Sequence, residues 1–172
     1  MKTLKKIIYR IRRFLKYWLI DGFALSFVCP DFLRKLILNS FGHKVKGLVH
    51  SSCFVGIGRG KLFLGENSFI NYRCFLDLGD DIIIGKNVSI GFCVTFVNST
   101  HEVGASAYRA GGGRAFPIIV EDGCWIGANA IIMPGVTISK GCVIGAGALV
   151  KESTEPNGLY VGCPAKRVKE LS

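Results

Sequence analysis

The stretch Val120-Glu121-Asp122-Gly123-Cys124-Trp125-Ile126-Gly127-Ala128-Asn129-Ala130-Ile131-Ile132-Met133-Pro134-Gly135-Val136-Thr137-Ile138 carries an aliphatic residue at every sixth place: Val120, Ile126, Ile132 and Ile138. The period runs on through Ile144 and Val150, and upstream it appears as Leu64, Ile70 and Leu76, then Ile84, Ile90 and Phe96. An amphipathic helix demands apolar spacings of three and four, whereas six is a multiple of the strand period of two. The fourth place of these hexads holds Asn67, Arg73, Gly79, Asn87, Cys93, Ser99, Gly123, Asn129, Gly135, Gly141 or Gly147, eight of eleven being Gly or Asn, which tolerate a positive φ. The fifth holds Ser68, Cys74, Asp80, Val88, Val94, Thr100, Cys124, Ala130, Val136, Cys142 or Ala148, small or β-branched except for Asp80. The spacing predicts a parallel β-helix of short strands and tight corners, with large aliphatics filling the interior. One hexad cannot bury its own apolar face, so coils must stack to make a core.

Composition bounds the rest. At 172 residues with 49% apolar and 20% charged residues the chain reads as one folded domain. The net charge of +10 is unevenly placed: residues 1–46 hold eleven Lys or Arg against Asp21 and Asp31, while residues 47–172 hold eleven against ten acids. Seven cysteines, odd in number and without a Cys-x-x-Cys pair, read as small buried residues in a reducing compartment rather than a disulfide framework or zinc site. No uncharged run approaches the roughly 20 residues that span a bilayer, and no signal-peptide pattern opens the chain. The expected place is the cytoplasm, with no metal.

The basic segment has its own pattern. Leu4, Ile7, Ile8, Ile11, Phe14, Leu15, Trp18 and Leu19 share one helical face, and Lys2, Lys5, Lys6, Arg10, Arg12, Arg13 and Lys16 fall on the other. Such a helix suits an anionic membrane surface, placing residues 1–20 on the inner face of the cell membrane; alternatively it caps the β-helix and shows its charges to water. Nucleic-acid binding is not expected, since no recognition motif accompanies the charge. A second apolar stretch, Phe23–Leu38, either covers the first coil or extends the membrane contact.

Cys124-Trp125-Ile126-Gly127-Ala128-Asn129, Met133-Pro134-Gly135-Val136-Thr137-Ile138, Val143-Ile144-Gly145-Ala146-Gly147-Ala148 and Val161-Gly162-Cys163-Pro164-Ala165-Lys166 resemble the hexapeptide-repeat acyltransferases, over residues 55–170 or so. Parallel crossovers are right-handed by default, so periodicity alone would favour that hand; the resemblance instead implies a left-handed β-helix, a homotrimer and an acetyl-CoA donor. It is similar to the galactoside- and maltose-type enzymes and to the capsule and lipopolysaccharide sugar O-acetyltransferases. The expected organisation is a basic amphipathic helical arm (1–46), a β-helix (47–163) with a protruding loop (102–115) lacking a strand pattern, and a C-terminal helix (164–172) opened by Pro164.

His101 begins that loop directly after a coil strand, a place both rigidly based and exposed. A lone His is more often structural, but the resemblance implies the catalytic general base at this junction: a neutral imidazole takes the acceptor hydroxyl's proton and returns it to the leaving thiolate. A Cys–His acyl-enzyme would need a thiol beside His101, and none is adjacent in sequence. Asn71, thirty residues before His101 and at a hexad place where Gly is usual, is implied to contact an acceptor sugar. Asp77 and Glu102 are either acceptor ligands, orienters of the imidazole, or solvated carboxylates. For the donor, the resemblance implies a pantetheine groove at Ala128 and Ala146 walled by Trp125, with Lys151, Lys166 and Arg167 near the CoA phosphates; the alternatives are a packed Trp and ordinary surface cations. The acidic helical region of the galactoside and maltose enzymes has no counterpart here, which favours a membrane-borne glycan acceptor over a free sugar. Amino-sugar-nucleotide or antibiotic N-acetylation and a non-catalytic trimeric scaffold are the competing readings. A carbonic-anhydrase-like zinc site is rejected, because of His43, His50 and His101 two precede the regular coils.

Overall fold

The computed structural model describes residues 2–56 and 58–172, except for the side chains of residues 2–5, 9, 12 and 13. Lys2, Leu4, Lys5, Arg12 and Arg13 of the basic arm therefore lie outside the described residues as side chains.

The chain winds into a left-handed parallel β-helix of about six turns with a triangular cross-section. The first face stacks Lys44–Val45, Leu62–Leu64, Ile82–Ile84, Ile118–Val120 and Thr137–Ile138. The second stacks Leu48–Val49, Phe69–Ile70, Ser89–Ile90, Trp125–Ile126, Val143–Ile144 and Gly158–Val161. The third stacks Phe54–Val55, Phe75–Leu76, Thr95–Phe96, Ile131–Ile132 and Leu149–Val150. Register places like on like: Ile70 pairs with Ile90, Ile90 with Ile126, and Ile126 with Ile144, each wholly buried. These ladders form one continuous core along the axis.

The corner expectation is met in backbone terms. Asn67, Arg73, Asn87, Cys93, Asn129 and the glycines at 123, 135, 141 and 147 all take positive φ. Two predicted corners differ: at Ser99 the chain leaves the coil as a hairpin strand, and at Gly79 the coil is stretched, since Leu62 pairs with Ile82, twenty residues on, whereas Val120 pairs with Ile138, eighteen on. In the stretched hexad Leu78, not Gly79, takes the left-handed conformation, and its side chain is buried. Asp80 therefore misses the small interior slot, and Thr100 lies exposed beyond the last strand of its coil.

Three expectations are corrected. The segment expected as a loop over 102–115 is an antiparallel hairpin, Ser99–Val103 against Ala110–Ala115; three consecutive glycines hid a strand whose residues need no buried side chains. The C-terminal segment is a strand, Lys166–Glu170, antiparallel to Gly158–Val161, not a helix opened by Pro164. The last coil leaves an unpaired edge, and satisfying it with backbone bonds outweighs the weak helical preference of a short tail. The β-helix also begins before residue 47, at Lys44–Val45.

The arm divides in two. Helix α1 (Lys2–Tyr17) continues through a wider π-helical turn, Trp18–Ala24, and helix α2 spans Asp31–Ser40. Ile20, Ala24, Leu25, Cys29 and Leu38 are buried and seal the first coil. Buried Arg34 fastens this cap: its guanidinium donates to the carbonyls of Ala24 (2.7 Å), Cys29 (2.8 Å), Ser26 (3.2 Å) and Val49 (2.8 Å) and to the Asp31 carboxylate (2.5 Å). Asp21 accepts from the Val55 amide of the first coil at 3.1 Å. By contrast Ile7, Ile8, Ile11, Phe14, Leu15 and Trp18 of the amphipathic stripe are exposed, as are Phe27, Val28, Phe32 and Leu36 of the cap. Residues 20–40 cover the coil, and α1 does not bury its apolar face on it.

Candidate active site

The corner between the second and third faces carries a column of side chains that changes size halfway along. Backbone bonds align it: Cys93 donates to Tyr72, Asn129 to Phe92, and Gly147 to Ala128. The column therefore reads Tyr72, Phe92, Ala128, Ala146, and the step from aromatic to alanine opens a groove of about 380 Å³. Asn71, Phe92, Trp125, Ala128 and Ala146 all line it.

Trp125 stands outward from its strand, 58% exposed, rather than packed in a corner. The neighbouring backbone column holds Asn71, Gly91, Gly127 and Gly145. A Cβ on Gly91 would come within 2.7 Å of the Ala128 amide nitrogen, and one on Gly127 within 2.5 Å of that of Ala146. Only glycine fits at those two positions, so within the groove Asn71 supplies the polar side chain of that column, His50 standing one coil earlier outside it. The amides of Ala128 and Ala146 donate no hydrogen bond among the described residues, leaving two N–H groups beside a small-walled groove. Such a groove suits a slender, amide-bearing chain bound through backbone groups.

His101 lies elsewhere in the chain. Its hairpin leaves the corner between the third and first faces, and His101 is not among the groove's lining residues. The hairpin is rooted in the stretched coil: Asp77 accepts from the Ser99 amide at 2.8 Å, and buried Asn98 donates to the Asp80 carbonyl. The imidazole is exposed, and its Nδ1 lies 3.0 Å from the Gly111 carbonyl oxygen. A carbonyl only accepts, so Nδ1 carries the proton, and in the neutral ring Nε2 keeps its lone pair outward. Gly111 is the orienter that sequence reasoning missed. Its signal was the Gly111-Gly112-Gly113 run: a Cβ at 111 would approach the Glu102 carbonyl oxygen to 3.0 Å.

Glu102 ion-pairs with Arg114 across the hairpin, and Asp77 is committed to the hairpin root. Lys151 pairs with Glu152 at 3.4 Å, Lys166 is exposed without an ion pair among the described residues, and Arg167 is held by Glu155 at 2.8 Å and Glu170 at 3.5 Å. The structure thus brings together Asn71, Trp125, Ala128 and Ala146, but not His101, within one chain.

The model of the hexapeptide repeat of succinyl-transferase matches residues 117–152. A putative acetyltransferase of Staphylococcus haemolyticus is 35% identical over 143 residues, covering 83% of this chain and 74% of the relative. Several other curated relatives are matched over only 52% to 58% of their own length. Among solved structures, a maltose O-acetyltransferase from Clostridium difficile 630 superposes with a TM-score of 0.75 at 28% identity, covering 93% of this chain and 86% of that one. A hexapeptide-repeat acetyltransferase from Vibrio cholerae O1 biovar eltor, complexed with acetyl-CoA, gives a TM-score of 0.74 at 25% identity, covering 91% and 86%. A superposition of that quality requires coils of the same hand and pitch, and with the repeat and the relative's coverage it gives one assignment: the chain belongs to the hexapeptide-repeat acetyltransferase family.

Proposed function

We propose that the protein transfers an acetyl group from acetyl-CoA to a sugar hydroxyl of a bacterial surface polysaccharide or its lipid-linked precursor, as a homotrimer on the inner face of the cell membrane. The observation that carries the chemistry is the contact between His101 Nδ1 and the Gly111 carbonyl, which leaves Nε2 as a fixed, exposed proton acceptor. Nε2 takes the acceptor hydroxyl's proton as that oxygen attacks the thioester carbonyl carbon. The tetrahedral intermediate collapses with cleavage of the C–S bond, and the imidazolium returns the proton to the thiolate, giving an acetyl ester and free CoA. No enzyme nucleophile is needed.

The groove of small residues would receive the pantetheine arm, with the Ala128 and Ala146 amides as donors, Trp125 as a wall and Asn71 toward the acceptor. Lys151 and Lys166 would meet the CoA phosphates; Arg167 would join them only by leaving Glu155. Because the hairpin and the groove occupy different parts of the triangular section, a trimer would complete each site with one chain's groove and its neighbour's His101. The bare apolar stripe of α1 and the cations beside it would rest on anionic lipid.

The test is thiol release from acetyl-CoA against a panel of mono- and oligosaccharides, with mass spectrometry of the products. His101→Ala should lower kcat by about 100-fold or more with little change in acetyl-CoA affinity. Mixing His101→Ala subunits with groove-blocked Ala146→Trp subunits should restore part of the activity if sites are shared. Near-native turnover by His101→Ala would remove it as the base, and failure to acetylate any sugar would favour N-acetylation or a scaffold.

A further inference from the structure

A second cavity, of about 390 Å³, lies where the helical cap meets the first two coils, lined by Phe27, Val28, Asp31, His50, Ser51 and Tyr72 among others. It neighbours the groove along the chain: Asn71 lines one and Tyr72, the next residue, lines the other. The rings of His50, Tyr72 and Phe92 stack in file between them, with centroids 4.5 Å and 6.1 Å apart. Adjacent coils stand about 4.8 Å apart, so His50 and Phe92 are about 10 Å apart along the axis, the span of two linked pyranose rings.

Several polar groups in this cavity are unspent. Ser51 is 92% buried, yet its hydroxyl makes no hydrogen bond among the described residues and borders the cavity. The half-buried His50 ring nitrogens, the hydroxyl of exposed Tyr72 and the second carboxylate oxygen of exposed Asp31, whose first is held by Arg34, also make no hydrogen bond among the described residues and face the opening of the cavity to solvent. The Arg34 guanidinium is taken up by four carbonyls and that carboxylate, so it offers no donor to an anion, and the Asp31 carboxylate repels one. The lining therefore fits a neutral polyhydroxylated ligand: hydroxyls against Ser51, His50, Asp31 and Tyr72, and C–H faces against the ring edges and Phe27. Phe27, 85% exposed, and Val28 form the rim on the side of the bare cap.

We infer that this cavity is a second sugar subsite, holding the residue of a glycan acceptor next to the one acetylated. The inference rests on the sugar acetyltransferase reading and deepens it: the acceptor is an oligosaccharide whose terminal unit lies at Asn71 and whose preceding unit lies against His50, Ser51 and Tyr72.

The experiment uses the full chain with acetyl-CoA and two acceptors, a monosaccharide and the trisaccharide ending in it, for the wild type, His50→Ala, Ser51→Ala and Ser51→Val, with thermal melting of each alongside. The wild type should favour the trisaccharide through KM. The variants should lose about tenfold in kcat/KM on it, as expected for one or two hydrogen bonds, and keep their activity on the monosaccharide. In parallel, the trisaccharide alone is titrated into wild-type protein while the His50 ring signals are followed by NMR, and they should shift. Equal losses on both acceptors, or none, would overturn the subsite. If no sugar is acetylated the catalytic reading fails instead, and the His50 titration then decides the cavity: an unmoved ring rejects it.

Discussion

The β-helix and helix α1 are similarly rich in large apolar side chains and treat them in opposite ways. In the coils Ile70, Ile90, Ile126, Ile144 and Phe96 are wholly buried, whereas on α1 the stripe of Ile7, Ile8, Ile11, Phe14 and Leu15 is between 42% and 67% exposed. A coil needs only the next coil, since identical spacing sets like residues over like and each turn covers its neighbour. An amphipathic helix needs a surface of another kind, and the described residues offer none to α1: the space over the first coil is already sealed by Ile20, Leu25 and Leu38. Apolar pattern alone thus says that a face will be covered, not by what.

The sharpest break of this contrast is a matched pair of truncations. Phe96→Ala should cost about 3–5 kcal/mol of stability by leaving a cavity in the core, while Phe14→Ala should leave the unfolding midpoint nearly unchanged; denaturant titration measures both. Equal costs would mean that α1 is packed in solution. Next in size is the loss of lipid attraction on replacing Lys5, Lys6, Arg12 and Arg13 with Gln, at about 1 kcal/mol for each cation at an anionic surface. Flotation with anionic and neutral vesicles should show release of the variant from the anionic ones, and high salt should release the wild type. Binding that ignores lipid charge would leave the stripe to a protein partner.

His43 sharpens the boundary between the two regions. It is buried where the cap joins the first coil, its Nδ1 accepts from the Leu62 amide at 3.1 Å, and its Nε2 has no partner among the described residues. Burial first, then the nearby charges of Lys61 and Lys16, lower its pKa from 6.5 to about 4. Between those values the unfolded chain binds a proton that the folded chain refuses. Stability from this group is therefore complete above pH 6.5 and falls as the pH drops toward 4, by up to about 3 kcal/mol. The melting temperature should fall as the pH drops across that window for the wild type, and fall less for His43→Gln. The smallest effect belongs to a corner: Arg73 holds φ 61, so Arg73→Gly should be neutral or stabilising by less than about 1 kcal/mol. A clear loss would show that its side chain is doing more than turning the chain.

The residues that line the groove were partly legible. Asn71, Trp125, Ala128 and Ala146 are implied by the resemblance to the acyltransferase motifs, and the structure puts all four on one groove because in a repeat each hexad place maps onto one column and columns become walls. Phe92 was missed, since its role comes from standing above Ala128, a relation between coils that the linear period does not display. Gly111 was missed for a similar reason: its carbonyl meets His101 only because the segment folds back as a hairpin. The C-terminal strand was missed because an unpaired sheet edge, not local preference, recruits it.

The sequence by itself determined the coil: a period of six with turn-forming residues at fixed places permits little besides a stacked parallel β-helix, since every local choice repeats the same geometry. Only the tertiary structure decided what the exceptions do. The stretched hexad roots the hairpin, the open last edge draws the tail into a strand, and the cap takes one part of the apolar arm while α1 stays bare. Each of these is settled by which backbone groups and apolar faces the regular coils leave unsatisfied at their ends and corners, and that is known only once the coils are stacked.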